Sequence, residues 1–158
     1  MALPRGRLPG VVAGFVDTGK TLTGSITPPD TLPLPEETVR MTETVHQGGC
    51  HCGKVRFEAT ADLAHVISCN CSICTKHGLL LTFLPATKFK LLDGEEQLEE
   101  YRFNKGRIRH TFCRECGVET FGRGKHPEGF DMVALNVRCL DDIDLARLNP
   151  VPFDGKSV

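Results

Sequence analysis

Cysteine is the residue type in this 158-residue chain whose number and spacing predict chemistry. The eight cysteines form three clusters, C-x-C, C-x-C-x-x-C and C-x-x-C, followed by one isolated residue. In chain order they are Cys50, Cys52, Cys69, Cys71, Cys74, Cys113, Cys116 and Cys139. Closely spaced thiolates allow one backbone turn to direct two sulfurs at one ion, so the pattern predicts zinc binding.

Disulfide formation and thiol redox exchange are the alternatives to zinc. Disulfide frameworks are typical of small secreted chains, but a signal peptide fits residues 8–16 poorly because Pro9, Gly10 and Gly14 interrupt them. Neighbours in a C-x-C pair also form a disulfide only with strain. Redox exchange at a C-x-x-C usually requires a thioredoxin-like βαβ pattern, which the sequence lacks. We therefore expect a cytoplasmic protein with metal-binding cysteines.

Two of the cysteine pairs suffice for one closed zinc site. Structural zinc takes four ligands in a tetrahedron. Cys50 and Cys52 would supply two of them, and Cys113 and Cys116, about 60 residues later, the other two. Such an ion would join an early hairpin region to a late one. Its binding energy would also be folding energy, because the thiolates form only when metal is bound.

Three clustered cysteines remain, Cys69, Cys71 and Cys74, here called the trio. Three ligands with one open position are typical of a catalytic or substrate-binding zinc. Two alternatives stay open: Cys139 or His77 completes a second structural site, or the trio holds no metal. Three thiolates make zinc a soft acceptor whose natural fourth ligand is a substrate thiol. Coordination would deprotonate that thiol and make it a nucleophile towards a small electrophile.

The hydrophobic pattern from residue 41 onwards predicts short strands. Alternation in residues 54–59 places Val55, Phe57 and Ala59 on one face, and turn signals recur every 8–12 residues. The other predicted strands are residues 79–84, 89–92, 98–103, 107–112 and 132–137. A short helical pattern occurs only around residues 141–148. The fold class is therefore mainly β with very little helix.

Residues 1–40 differ in composition from the remainder. They contain six of the ten prolines and no cysteine. We expect a flexible, Pro-rich N-terminal extension over residues 1–40 and a zinc domain over residues 41–158. Residues 14–21 match the phosphate-binding pattern G-x-x-x-x-G-K-[ST], but Gly24, Pro28 and Pro29 stand where its helix must run, so a tail is expected instead.

Charge and hydropathy exclude two classes of partner. The net charge is −1, from 19 basic and 20 acidic side chains, which excludes a strongly basic nucleic-acid binder. No stretch approaches 18 consecutive apolar residues, so no transmembrane helix is predicted. We expect neither a nucleic-acid nor a membrane partner.

Three segments resemble the glutathione-dependent formaldehyde-activating enzyme family, also called Gfa/CENP-V. They are residues 49–57 (GCHCGKVRF), 69–78 (CNCSICTKHG) and 112–117 (FCRECG). Residues 136–140 and 153–155 are also similar to family members, and the resemblance spans about residues 47–155.

The resemblance implies an Mss4-like (β-tent) fold stapled by zinc, with two zinc ions per chain. It implies a structural zinc on Cys50, Cys52, Cys113 and Cys116 and a second, catalytic zinc on the trio. The implied activity is that of a carbon–sulfur lyase, an S-(hydroxymethyl)glutathione synthase that adds glutathione to formaldehyde or another small aldehyde. The alternative is a non-catalytic zinc module, either a thiol-adduct carrier or a protein or chromatin interaction domain.

Charged residues near the trio are candidate substrate contacts. Lys76 and His77 follow the trio directly and could hold a substrate carboxylate or move a proton, although a solvated loop pair is the simpler interpretation. Arg107 and Arg109 share one strand face. They could form cross-strand ion pairs with Glu99 or Glu100, or bind the glutathione carboxylates.

Overall fold

The computed structural model describes residues 43–141 and 143–157. The predicted extension over residues 1–40 and the phosphate-binding pattern within it lie outside these residues. The described part contains ten strands, one α-helix and five short 3₁₀ turns. The strands are β1 Thr44–Gly49, β2 Arg56–Ala61, β3 Ile67–Cys69, β4 Leu81–Pro85, β5 Phe89–Asp93, β6 Leu98–Tyr101, β7 Arg109–Cys113, β8 Glu119–Lys125, β9 Asp131–Asn136 and β10 Val151–Phe153. The helix, α1, is Ser72–His77.

The strands form two sheets. Strands β1, β2 and β5 make an antiparallel three-stranded sheet in the order β1-β2-β5. The other seven follow the order β10-β3-β4-β9-β8-β7-β6 and are antiparallel except for the parallel pair β10 and β3. The mainly β fold class predicted from the sequence is confirmed.

The hydrophobic core lies between the two sheets. Phe57 and Ala59 from β2 pack in one cluster with Phe121, Val133 and Leu135 from β8 and β9, and all five are 0–1% exposed. The rings of Phe57 and Phe121 meet edge to face with centroids 6.2 Å apart. Because β2 alternates as predicted, its apolar face supplies one wall of this core, and removing either ring would cost about 3–5 kcal/mol.

The predicted helix over residues 141–148 is wrong. The described residues there form only a 3₁₀ turn, Leu145–Arg147, in which the Asp144 side chain accepts a hydrogen bond from the Ala146 N–H. Such a local side-chain bond competes with a longer helix. The α-helix is α1 instead, which ends at Gly78 in the left-handed conformation. Six residues are too few to show a helical period in the sequence.

The six predicted strands correspond to β2, β4, β5, β6, β7 and β9, with bounds shifted by one or two residues. Strands β1, β3, β8 and β10 were not predicted, because two of them have only three residues and β8 contains two glycines. The α-helix of the described residues is six residues long, far below the length that crosses a membrane.

Substitution Gly94→Ala should destabilise the fold. Gly94 has φ +83°, and a Cβ there would lie 2.0 Å from the backbone oxygen of Lys54. We expect a loss of about 2–4 kcal/mol in the free energy of unfolding, since both the conformation and the contact are unfavourable. The matched control is Gly106→Ala, with φ +66° and open space around its Cβ, which should lose only about 1 kcal/mol. Equal losses in urea denaturation would contradict this account.

Candidate metal centre

Two hairpin loops supply the four cysteines predicted to form a closed site. The β1–β2 loop carries the first pair and the β7–β8 loop the second. Both loops close in the same way: the Cys50 N–H donates to the Val55 carbonyl (3.1 Å), and the Cys113 N–H donates to the Val118 carbonyl (3.0 Å). Since β1–β2 and β7–β8 belong to different sheets, this four-cysteine group joins the two sheets at one end.

The sulfur positions of the four-cysteine group fit a tetrahedral ion. Four sulfurs about 2.3 Å from zinc lie about 3.8 Å from one another. Here Cys50 Sγ lies 3.5 Å from Cys52 Sγ, which lies 3.7 Å from Cys113 Sγ. All four ligand atoms, including that of Cys116, are within 4.8 Å of each other. The Val55 N–H also donates to Cys50 Sγ (3.3 Å), as expected around a thiolate.

Electrostatics within the group favour a bound cation. The Lys54 N–H stabilises the Cys52 thiolate, but burial and the neighbouring sulfurs outweigh it and raise the pKa of Cys52 to about 12. Burial also opposes ionisation of Cys116, yet N–H donors from Val118 and Cys52 lower its pKa to about 6. Ionisation of one thiol therefore disfavours ionisation of its neighbour, and a bound divalent cation would remove this repulsion.

The trio lies where β3 ends and α1 begins. Cys69 is the last residue of β3, Cys71 is the N-cap of α1, and Cys74 lies in its first turn. Their sulfurs are all within 4.8 Å of one another. Burial opposes ionisation of Cys71, but the N–H groups of Cys74 and Ile73 lower its pKa, whereas burial raises the pKa of Cys74. This donor set also fits a soft cation.

Neither proposed fourth ligand joins the trio. The Cys139 thiol donates to the Glu119 carbonyl at 3.6 Å and accepts from Asn136 Nδ2 at 3.4 Å, and burial raises its pKa to about 12. His77 Nδ1 faces the Glu119 carboxylate at 2.6 Å. Over residues 43–141 and 143–157, no other His, Cys, Asp or Glu brings a ligand atom into this group.

The C-terminal segment packs directly on the trio. Strand β10 pairs with β3, and Asn70 Nδ2 donates to the Asp154 carboxylate at 2.8 Å. A Cβ on Gly155 would lie only 2.4 Å from Cys69 Sγ. The resemblance noted at residues 153–155 thus has a physical reason, since only glycine leaves room for this sulfur.

A cavity of about 290 Å³, here called the trio cavity, lies against the three cysteines. Its wall is mainly apolar and includes Leu79, Phe103 and Phe121. Lys105 and Arg107 supply positive charge to the same wall. Of the two predicted arginines, Arg107 therefore reaches the cavity, whereas Arg109 pairs with Glu100 at 3.2 Å, as one of the two interpretations had it.

A second cavity of about 500 Å³, the outer cavity, adjoins the first. Lys76 and His77, the predicted substrate contacts, lie in the last turn of α1 and line this outer cavity instead of the trio cavity. The two cavities share wall residues, namely Ile73, Phe103, His110 and Glu119.

His110 and Glu119 were missed by sequence reasoning. They come from adjacent strands, β7 and β8, whose register shifts between Thr111 and Phe112, so that β8 carries the extra residue Thr120. Such a bulge redirects neighbouring side chains. His110 Nδ1 lies 2.8 Å from Glu119 Oε1, and both residues are buried. A charged residue inside an apolar run, V-E-T-F, was the available signal.

A family model described as glutathione-dependent formaldehyde-activating enzyme matches residues 45–152. The chain belongs to this family. The match covers both hairpin loops, the trio, and the wall residues that the two cavities share.

Curated fungal relatives carry the name "Putative glutathione-dependent formaldehyde-activating enzyme". The Sordaria macrospora protein is 32% identical over 53% of this chain and 40% of its own length. The Penicillium rubens protein is 30% identical over 56% of this chain and 50% of its own length. The Phaeosphaeria nodorum protein is 29% identical over 69% of this chain and 63% of its own length. The chain thus spans about half the length of these relatives. A crystal structure of a Rhodobacter sphaeroides protein, 29% identical, covers 67% of this chain and 97% of its own with a TM-score of 0.60.

Zinc stoichiometry tests the two groups separately. We expect two zinc ions in the wild-type protein and one in either Cys113→Ser or Cys71→Ser. Cys113→Ser should also lose several kcal/mol of stability, because structural zinc binding contributes about 10–16 kcal/mol. Cys139→Ser is the matched control and should keep both ions. Atomic emission on the purified proteins measures the ratio, and loss of zinc from the Cys139 variant would contradict the assignment.

Substitution Gly155→Ala should weaken the trio alone. The new methyl group would displace Cys69 Sγ. Changes to residues that support metal ligands typically reduce metal affinity 10- to 100-fold. We expect at least a tenfold faster loss of one zinc ion to a chelator, with the other ion unchanged. Gly129→Ala, with open space around its Cβ, is the control. Release of both ions at equally increased rates would be inconsistent with this prediction.

Proposed function

We propose that this chain binds the thiol of glutathione at a zinc held by the trio and adds it to formaldehyde or another small aldehyde. The product would be a hemithioacetal, which is S-(hydroxymethyl)glutathione in the formaldehyde case, and the reaction class would be that of a carbon–sulfur lyase. One observation carries the proposal: four cysteines form a complete ligand set, whereas the trio stands in the wall of a cavity.

Zinc, when bound, would supply a site at which a thiol with an ordinary pKa of about 8.5 loses its proton near neutral pH. The remaining requirements fall on the chain itself. The apolar wall formed by Leu79, Phe103 and Phe121 excludes water, which competes with the thiol for the aldehyde carbon. The volume of about 290 Å³ suits a small aldehyde and the cysteinyl part of a thiol, not the whole of a large ligand.

Cationic side chains suit the carboxylates of glutathione. Lys105 and Arg107 line the trio cavity and form no ion pair with another side chain of the described residues. Lys76 occupies a comparable place in the outer cavity. We propose that these three cations orient the two carboxylates of the tripeptide while its sulfur reaches the trio. We also propose that His77, which lines the outer cavity, lies beside the bound substrate.

The unit that carries this function would be residues 41–158, with residues 1–40 as an extension outside it. The family match over residues 45–152 supports this division. We further propose that the protein works in the cytoplasm, because its eight cysteines are free and reducing conditions keep such thiols available for metal.

Exchange NMR provides the test of the proposed reaction. Zinc-loaded protein should increase the rate at which formaldehyde and glutathione exchange with their adduct by at least about 100-fold. Positioned groups in general acid–base catalysis typically give accelerations of this size. Cys71→Ser should return the rate to the uncatalysed value, and Cys139→Ser should not. An exchange rate equal to the rate in buffer alone would exclude the enzyme assignment. Tight adduct binding without acceleration would favour the carrier alternative.

A further inference from the structure

Glu119 lies between two histidines. Its Oε1 lies 2.8 Å from His110 Nδ1, and its Oε2 lies 2.6 Å from His77 Nδ1. The first contact is a hydrogen bond, whereas the second has the distance but not the angle of one. The three side chains come from β8, β7 and α1, so only the folded chain brings them together.

The two histidines are the ion-pair partners of the Glu119 carboxylate among the described residues. The Glu119 side chain is 5% exposed, and no Lys or Arg among the described residues pairs with it. A buried carboxylate without a compensating charge is strongly unfavourable. The two imidazoles are polar partners for this carboxylate, and all three side chains belong to types that can accept and donate a proton.

The cluster leads from the trio cavity to solvent. His110 is 10% exposed and lines the trio cavity, whereas His77 is 44% exposed and lines only the outer cavity. Glu119 lines both. Besides the three cysteines of the trio, the other titratable groups on these walls are Lys105 and Arg107 on the trio side and Lys76 and Tyr101 on the outer side. None of these three side chains, His110, Glu119 and His77, belongs to the groups that could hold a metal.

We propose that His110, Glu119 and His77 form a proton relay for the thiol that binds at the trio. This inference rests on the proposed function. The S–H bond breaks with its electron pair left on sulfur, and the proton passes to His110 Nε2. His110 then gives its Nδ1 proton to Glu119, Glu119 gives one to His77 Nδ1, and His77 releases its Nε2 proton to water.

Addition to the aldehyde reverses the direction of the proton. The sulfur electron pair forms the C–S bond, and the carbonyl π pair moves onto oxygen. That oxygen takes up one proton, which returns along the same residues. The sum is one thiol plus one aldehyde giving one adduct, with no net proton released. Without the aldehyde, the proton stays in solution, and this makes the relay measurable apart from catalysis.

Stopped-flow proton release tests the relay. Zinc-loaded protein is mixed with glutathione, without aldehyde, in weak buffer containing a pH indicator. We expect His110→Ala to slow proton release at least tenfold, and added imidazole to restore it. Glu119→Gln, which keeps shape but cannot pass a proton, should show the same slowing. His65→Ala removes a comparable but exposed His–Asp pair with Asp62 and should behave as wild type.

Two results would overturn the relay. The first is wild-type proton release in both Glu119→Gln and His110→Ala. The second is slow release in His110→Ala that imidazole does not restore, because a purely structural histidine is not replaced by a free base. Wild-type protein that takes up no glutathione would overturn the relay together with the proposed function. Relay behaviour without accelerated adduct formation would overturn the proposed function alone.

Discussion

Seven cysteine sulfurs gathered into two tight groups impose the main electrostatic constraint on this protein. Within each group the sulfurs lie within 4.8 Å of one another, and they cannot all ionise unless a cation is present. The constraint is visible in the four-cysteine group, where the pKa of Cys116 falls to about 6 while that of Cys52 rises to about 12. Two hairpin loops from different sheets must meet for this group to exist, so binding of a cation here would be linked to the arrangement of the sheets.

The two groups differ in what surrounds them. Three members of the four-cysteine group, Cys50, Cys113 and Cys116, pack in a small apolar cluster with Val55, Leu91, Leu98 and Val118, whereas Cys52 is exposed. The trio is enclosed by α1 and by the segment that follows β10, with Gly155 against Cys69. Its remaining side opens onto a cavity. A closed, packed group suits structural support, and a group beside a cavity suits chemistry.

Polar groups in the cavity wall are costly to bury and therefore informative. The contact of His110 with Glu119 arises at a bulge, where β8 carries one residue more than β7. The half-exposed His77 extends the pair towards solvent. Lys76, by contrast, lies in the exposed last turn of the same helix and faces the outer cavity. Lys76 and His77 thus lie near the trio in sequence, whereas strand register places His110 and Glu119 in the walls and the β6–β7 loop supplies Lys105 and Arg107.

The sequence by itself determined the ligand types, their grouping into clusters, the alternating strands and the family. These are local properties, since a C-x-C or C-x-x-C cluster is read within four residues and β2 shows its buried face within six. Tertiary structure alone decided that both hairpin loops meet, that Cys139 stays in the core bound to Asn136 and the Glu119 carbonyl, and that His110 reaches Glu119. These contacts depend on sheet order, register and one bulge, which no single cysteine cluster or strand specifies by itself. The short helix α1 belongs with them, because its six residues are held by flanking strands and show no period of their own.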